Sequence, residues 1–238
     1  MQDFSNAVVM ITGATGNLGR TLARHFKKAG ASLVLVDRGR DNLSKVFVDL
    51  VESKKYYLAN CADLTKSEAV QEVVTSTIER FGRIDVLVHT VGGYQAGSPL
   101  HQTSLETWDT MINMNARSTF VTCRAVIPQM LKQGSGKIIC FAARPGLHGA
   151  ANASAYAVSK SGVIRLVESM AAELKDKGIN ANCIIPGTID TPENREDMPK
   201  ADHSRWVQPD SLAGVIMFLA SETARDIHGA TIPVYGLS

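Results

Sequence analysis

An apolar segment that runs directly into a glycine-rich turn constrains the fold of this chain more than any other feature. Residues 7–12 read Ala-Val-Val-Met-Ile-Thr, and Gly13, Gly16 and Gly19 follow at three-residue spacing. Such a nearly continuous apolar and β-branched run is typical of a parallel strand that is covered on both faces. The glycines permit a tight exit from the strand, a close approach of backbone to a diphosphate and close packing of the next helix. We therefore predict a strand, a phosphate-binding turn and a helix that begins near Asn17.

Apolar strands alternate with longer helical segments along the rest of the chain. Strands separated by helices of about a dozen residues pair in parallel through right-handed crossovers. We therefore predict an α/β fold, a Rossmann-type doubly wound parallel sheet of about seven strands with helices on both faces. Because the sequence has no repeat and no change of composition, residues 1–238 are predicted to form a single domain. Further strands are predicted over 32–37, 56–59, 84–89, 136–141, 179–185 and 231–234, and helices over 17–29, 65–81 (with a Thr65/Glu68 capping box), 104–133, 153–177 and 210–221. Ser104, together with Thr107, suits the start of the helix over 104–133.

Composition excludes several classes of partner. The net charge of +2 comes without a block of Lys or Arg, which argues against nucleic acid and against an anionic membrane surface. No apolar run reaches the ~18 residues that span a bilayer. The four cysteines are far apart and show no metal-ligand spacing, so we predict reduced core thiols and no metal site. We expect a cytoplasmic protein that binds a small molecule.

An acidic residue, Asp37, ends the second predicted strand about 20 residues after the glycine turn. A carboxylate at this position accepts the hydroxyls of an adenosine ribose and repels a 2′-phosphate, which favours NAD over NADP. Arg38 leaves the alternative open, because a guanidinium here would pair with a 2′-phosphate. A glycine-rich loop without a ligand would show the same glycines, but it would not need this carboxylate. Asp63 and Leu64 follow the third strand and are expected to border the adenine ring.

Several motifs in order resemble the short-chain dehydrogenase/reductase family, in its single-domain branch. Each motif is weak alone, but their ordered coincidence is strong and covers essentially the whole chain. The glycine spacing itself is closer to the family's extended branch. The motifs are Thr12-Gly13-x-x-Gly16-x-x-Gly19, Asp37, Asp63-Leu64, Asn115, Tyr156-x-x-x-Lys160 and Pro186-Gly187.

The resemblance implies a catalytic set of Tyr156, Lys160 and Asn115. Tyr156 is the implied acid/base, Lys160 acts on it and on the nicotinamide ribose, and Asn115 supports a water that links Lys160 to solvent. A free phenol has a pKa of about 10, and a neighbouring ammonium is expected to lower it. A surface pair on one helix face is the structural alternative, since residues four apart share a face. The expected cofactor-binding residues are Gly13, Thr15, Gly16, Asn17, Leu18, Gly19, Asp37, Asp63, Leu64, Gly92, Tyr156, Lys160 and Pro186, with Thr188, Ile189 and Thr191 at the carboxamide.

Two departures from the family pattern affect the expected activity. Where the family usually has Asn-Asn-Ala-Gly after the fourth strand, this chain has His89-Thr90-Val91-Gly92, and we expect His89 to be structural rather than catalytic. Thirteen residues before the tyrosine, the family usually has a serine that binds the substrate oxygen, and this chain has Ala143. Ser154 is an alternative donor, although a structural role at the helix start is favoured for it. The expected substrate residues are Tyr94, Ala143 and Arg144, and residues 193–206 are a candidate lid.

Two functions remain open. The first is an NAD(H)-dependent oxidoreductase that acts on a small carbonyl, an alcohol or an activated conjugated acceptor such as a quinonoid pterin. The second is an NAD(H)-binding sensor or subunit with little turnover, because the family serine is absent. The resemblance also implies a homodimer or homotetramer formed through the helices at 104–133 and 153–177. Small residues in the second helix would permit the close approach of a partner helix.

Overall fold

A computed structural model describes residues 2–51, 53–61 and 63–237. The strands are β1 (Val8–Thr12), β2 (Ser32–Asp37), β3 (Tyr56–Asn60), β4 (Val86–His89), β5 (Gly136–Phe141), β6 (Ile179–Pro186) and β7 (Thr231–Val234). The helices are α1 (Asn17–Lys28), α2 (Arg40–Val46), α3 (Ser67–Phe81), α4 (Leu105–Met111), α5 (Ser118–Gln133), α6 (Ser154–Leu174), α7 (Pro192–Asp197) and α8 (Pro209–Ala220). Within the described residues, no helix is both long enough and apolar enough to cross a membrane.

All seven strands form one parallel sheet in the order β3-β2-β1-β4-β5-β6-β7. This order confirms the predicted doubly wound α/β sheet. The direction of winding reverses between β1 and β4, and ligands of such sheets bind in the crevice beyond the carboxyl ends of the strands at this point. The crevice therefore lies where the glycine turn leaves β1 and where Thr90 and Gly92 follow β4.

Strand β1 is buried along its whole length, as its apolar sequence predicts. Its side chains alternate between the two faces of the sheet. Val9 and Ile11 belong to the core cluster that includes residues of α1 and α8. Val8 and Met10 belong to the cluster that includes residues of α3, α5 and α6. The helices therefore cover both faces of the sheet, and the crevice lies at its carboxyl edge.

The helix predicted over 104–133 is not continuous. Ser104 caps α4 as expected, and its hydroxyl accepts the Thr107 N–H at 3.1 Å. Residues Ile112–Arg117 then form a π-helical segment before α5 begins. Such a segment inserts extra backbone into a helix and is frequent at functional sites. Here it contains Asn115, whose side chain is fully buried.

The predicted capping box of Thr65 and Glu68 is wrong. Helix α3 begins at Ser67, and both the N–H and the hydroxyl of Thr65 donate to Asp63 Oδ1, at 2.8 and 2.6 Å. A capping box would use the Thr65 N–H as a donor to Glu68, but in the structure this N–H bonds Asp63 in a local turn. The turn also holds the Asp63 carboxylate beside the crevice.

Candidate active site

The glycine turn brings backbone close to backbone. Gly13 has a φ of 69°, in the left-handed region that favours glycine. A Cβ on Gly19 would lie 2.2 Å from the Gly13 carbonyl oxygen, so no other residue fits there. Gly16 is the N-cap of α1. The first N–H groups of a helix have no partner within the helix, and in α1 they lie next to the crevice.

A cleft of about 1060 Å³ opens at this turn. Its volume is at the upper end for small-molecule and cofactor pockets, about 300–1,000 Å³. The described lining does not include Tyr156, Lys160, Pro186, Thr188 or Ile189, whose expected cofactor contacts stay predictions. The predicted cofactor residues that line the cleft are Gly13, Thr15, Gly16, Asn17, Leu18, Gly19, Asp37, Asp63, Leu64, Gly92 and Thr191.

The Asp37 carboxylate is held at the end of β2 by the glycine turn. The N–H and the hydroxyl of Thr15 both donate to Asp37 Oδ2 at 2.7 Å. The Arg38 N–H donates to Oδ1, also at 2.7 Å. An ionised carboxylate has about four acceptor sites, so acceptor capacity remains after these bonds. Because Arg38 also lines the cleft, the geometry keeps open both cofactor alternatives that the sequence raises.

Lys160 reaches from α6 to the carboxyl ends of two strands. Its side chain is 5% exposed, and its Nζ donates to the Phe141 carbonyl at 3.1 Å. A Cβ on Gly92 would lie 2.9 Å from Lys160 Nζ and 2.9 Å from Asn115 Oδ1. Gly92 also lines the cleft. The structure therefore brings Lys160 and Asn115 together behind a residue of the cleft wall.

Burial determines the pKa of Tyr156 in this structure. It raises the pKa of Tyr156 to about 12, and the nearby Tyr94 adds to this effect. Lys160 Nζ lies 6.0 Å from the Tyr156 ring centre and bonds the Phe141 carbonyl. Burial also lowers the pKa of Lys160 itself to about 8. The lowering of the Tyr156 pKa that the sequence leads us to expect from this ammonium stays a prediction.

The Asn115 amide fixes the segment that follows β4. Its Oδ1 accepts the Gly93 N–H at 3.0 Å, and its Nδ2 donates to the Gly93 carbonyl at 3.1 Å. Nδ2 also donates to Ser159 Oγ at 3.0 Å, and this hydroxyl donates to the Tyr156 carbonyl at 2.8 Å. The sequence did not single out Ser159 or the Phe141 carbonyl. A backbone carbonyl carries no residue-type signal, so Phe141 was not predictable from composition or spacing.

His89 has a structural environment. It is buried, with Nδ1 2.9 Å from Thr12 Oγ1 and Nε2 3.3 Å from Ser118 Oγ. Ser118 Oγ donates to the Met114 carbonyl at 2.7 Å, so it accepts the hydrogen bond from His89 Nε2–H. Burial, with a contribution from Lys160, lowers the pKa of His89 to about 3. The histidine is therefore neutral and joins β1, β4 and α5.

The three expected substrate residues lie on two loops. Tyr94 is 71% exposed, and its ring meets the Tyr156 ring edge to face at 4.8 Å between centres. Ala143 directly follows the buried end of β5 and precedes a 3₁₀ turn. The Arg144 guanidinium lies 4.2 Å from the ring centre of Tyr235 near the carboxyl terminus. The structure thus brings Tyr94 to Tyr156 and directs Arg144 toward the end of the chain.

Ser154 is the first residue of α6. Its hydroxyl oxygen is buried and has no hydrogen-bond partner among the described residues. Ala153 precedes it as the N-cap of the helix. The expected N-terminal capping role is therefore not performed by the Ser154 side chain, and its role as a donor to substrate stays a hypothesis.

Comparison with known proteins agrees with this site. The family described as short chain dehydrogenase matches residues 7–202. The chain belongs to this family. One relative is (2S)-[(R)-hydroxy(phenyl)methyl]succinyl-CoA dehydrogenase subunit BbsD of Thauera aromatica. The two sequences are 32% identical, and the match covers 97% of this chain and 96% of the relative. The relatives are named dehydrogenases and reductases, which identifies this short-chain dehydrogenase as an oxidoreductase.

Two solved structures extend the comparison to cofactors. An NAD⁺-bound xylitol dehydrogenase superimposes with a TM-score of 0.89 at 27% identity, covering 99% of this chain and 100% of its own. A gluconate 5-dehydrogenase of Burkholderia cenocepacia, in complex with NADP and tartrate, also reaches 0.89, at 28% identity with 98% and 95% covered. Short-chain dehydrogenases therefore bind nicotinamide dinucleotides, and both forms occur among the structural neighbours. The present residues fit such a ligand, since the glycine turn has no room for side chains and Asp37 lines the cleft.

Proposed function

We propose that this protein is an NAD(H)-dependent oxidoreductase that transfers hydride between nicotinamide and a small carbonyl, alcohol or conjugated acceptor. The observation that carries the proposal is the position of Gly92, which lines the cleft and where an added Cβ would lie 2.9 Å from both Lys160 Nζ and Asn115 Oδ1. A pure binding protein would not need an ammonium and an amide buried behind the cleft wall. The bound nicotinamide supplies or accepts the hydride.

The chain's own residues have separate roles in this proposal. The glycine turn and the start of α1 bind the diphosphate, and Asp37 accepts the adenosine ribose hydroxyls, which selects NAD over NADP. Lys160 bonds the nicotinamide ribose, and Thr188, Ile189 and Thr191 hold the carboxamide. Asp63 and Leu64 border the adenine. Asn115 is a positioning residue, since its amide holds Gly93 and Ser159.

Tyr156 is the proposed proton donor and acceptor at the substrate oxygen. With a raised pKa its phenol is neutral at physiological pH, which is the form that donates a proton to a carbonyl during reduction. In the opposite direction Tyr156 must first lose its proton, and the phenolate oxygen then takes the alcohol proton. Movement of the Lys160 ammonium from Phe141 toward the phenol would lower the Tyr156 pKa for that step.

Ala143 and Tyr94 restrict the substrate. A methyl group at 143 donates no hydrogen bond to the substrate oxygen, so the acceptor must need little polarisation. The exposed Tyr94 ring beside Tyr156 offers an aromatic contact for a flat molecule. An activated conjugated ring, such as a quinonoid pterin, satisfies both conditions.

The protein as proposed is a cytoplasmic single domain that associates as a homodimer or homotetramer. Phe120 of α5 is 51% exposed and Val158 of α6 is 47% exposed, and a partner helix would cover these apolar side chains. Light scattering at micromolar concentration checks the association. A monomer mass there would contradict it.

An NADH-binding sensor with little turnover is the second candidate, and Ala143 favours it because the substrate-oxygen donor is missing. A panel of carbonyl, alcohol and quinonoid substrates, followed by NADH absorbance, is run beside an NADH fluorescence titration. The enzyme hypothesis expects turnover that Tyr156→Phe reduces by about 10²–10⁴-fold, with a much smaller change in NADH affinity. NADH binding without turnover on the whole panel would favour the sensor, and no binding of NADH or NADPH would contradict both.

A further inference from the structure

The loop formed by residues 189–207, which we call the 189–207 loop, is closed at its base. Ile189 pairs with Val207 as an isolated bridge, and the Asp190 N–H donates to the Val207 carbonyl at 2.9 Å. The Asp190 carboxylate accepts from Arg195 Nε at 2.5 Å and from Gln208 Nε2 at 2.9 Å. Both ends of the loop are therefore tied together beside the carboxyl end of β6.

The first residues of the loop after its base contact the start of α1. Helix α7 begins there, and the Thr191 hydroxyl that caps it belongs to a residue of the cleft lining. Glu193 Oε2 accepts from Asn17 Nδ2 at 2.5 Å. Asn17 is the first residue of α1 and also lines the cleft. The Glu193 carboxylate therefore lies at the rim of the cleft where α1 begins.

This part of the rim favours negative charge. The start of α1 carries the positive end of the helix dipole and its unpaired N–H groups. Arg20 lies on the same turn, and its Nε donates to the Thr15 carbonyl at 2.6 Å. The Glu193 backbone N–H, the Asn17 amide and Arg20 all help to lower the pKa of Glu193. The carboxylate is therefore ionised at neutral pH, and like charges at short range repel each other.

We propose that Glu193 limits the affinity of the cleft for the dinucleotide, because its carboxylate stands beside the diphosphate position and repels it. This inference rests on the proposed function, since it requires that the cleft bind a dinucleotide. The Asn17 amide holds the Glu193 carboxylate at the start of α1, so the repulsion acts while this hydrogen bond is formed. The consequence is a cofactor that exchanges readily, with a dissociation constant that depends on salt.

NADH fluorescence titration of three proteins tests this inference. Glu193→Gln removes the charge but keeps an oxygen that accepts from Asn17. Glu196→Gln is the matched control, because it removes the same charge from α7 at an exposed residue, whereas Glu193 is the one whose carboxylate bonds Asn17 at the start of α1. Two unit charges about 4 Å apart in water change an equilibrium about fivefold. We expect Glu193→Gln to bind NADH about fivefold more tightly than wild type at low salt, and Glu196→Gln to bind within about twofold of wild type.

Salt provides the second arm of the test. At about 1 M salt the Debye length falls to about 3 Å, so the gain of Glu193→Gln should shrink to less than about twofold. A Glu193→Gln protein that binds NADH as weakly as wild type, or an equal gain from Glu196→Gln, overturns the inference. So does a gain that high salt does not reduce. NADH binding by wild type separates this failure from failure of the proposed function, since wild type that binds no NADH overturns both.

Discussion

The glycine turn and the start of α6, which carries the proposed catalytic residues, lie on the same edge of the sheet, yet they are built from different groups. At the turn, the chemistry depends on backbone, on the absence of side chains at Gly13 and Gly19, and on one carboxylate held by Thr15. At α6, it depends on buried side chains whose pKa values have shifted far from normal. The comparison teaches that a binding turn can be encoded locally, whereas a proton-transfer site depends on packing from several elements.

Gly19→Ala, in the glycine turn, should have the largest of the predicted effects. An added Cβ would lie 2.2 Å from the Gly13 carbonyl, so the turn and α1 must separate. We expect a loss of about 3 kcal/mol in the free energy of unfolding and a fall in Tm of about 6–12 °C. Thermal unfolding measures the change.

Gly214→Ala in α8 is the matched control. A Cβ there meets no described atom within 4 Å, and alanine is the better helix former by up to about 1 kcal/mol. We expect this variant to be slightly more stable than wild type. If both variants unfold at the same temperature, close packing at the turn is not what requires Gly19.

Ala143→Ser, near the proposed catalytic residues, should have the next largest effect, an increase in turnover. A single missing donor at an oxyanion-type site costs about 10²–10³ in rate. We expect the variant to turn over simple ketones up to about 10²-fold faster than wild type, with little change in NADH affinity. Steady-state assays with NADH titration measure both quantities.

Ser154→Ala tests the alternative donor in the same assay. If the natural substrate supplies its own activation, this variant keeps wild-type turnover. Loss of wild-type activity with intact NADH binding would instead show that Ser154 replaces the family serine. The buried, unpartnered hydroxyl makes this an informative comparison among the described residues.

Asp37→Ala should produce a smaller loss, on the binding side alone. Hydrogen bonds to a charged group contribute about 1.5–3 kcal/mol, so we expect NADH affinity to fall about 10–100-fold. NADPH affinity should fall much less, because the same change removes repulsion of the 2′-phosphate. Fluorescence titration with both cofactors gives the ratio, and equal losses would show that Asp37 does not contact the ribose.

The smallest predicted effect is the pH dependence that Lys160 gives to the free energy of unfolding. Its pKa is lowered from 10.5 to about 8, so between these pH values the unfolded chain binds a proton that the folded chain lacks. The free energy of unfolding therefore gains up to about 1 kcal/mol per pH unit as pH rises through this window. Urea unfolding of wild type and Lys160→Met at about pH 8, 9 and 10 measures it. A difference between the two that does not increase with pH would mean that Lys160 keeps its ordinary pKa.

The sequence alone determined the α/β sheet, the glycine turn and the order of the motifs. These features depend on residue spacing and on the conformational freedom of glycine, both of which act within a few residues. Predictions of helix starts that depend on one local hydrogen bond were only partly correct. Ser104 caps α4 as predicted, whereas Thr65 bonds Asp63 instead of capping α3. Competing local hydrogen bonds of similar strength are not distinguished by sequence pattern.

Only the tertiary structure decided the state of the proposed catalytic groups. The Tyr156–Lys160 spacing predicts one helix face, but the direction of each pKa shift depends on burial of the two side chains in the folded chain. The same holds for the partner of Lys160, which is a backbone carbonyl from β5, and for the contact of Glu193 with Asn17 across 176 residues of chain. Burial and long-range contacts are properties of the folded assembly of elements, and no single segment of sequence contains them.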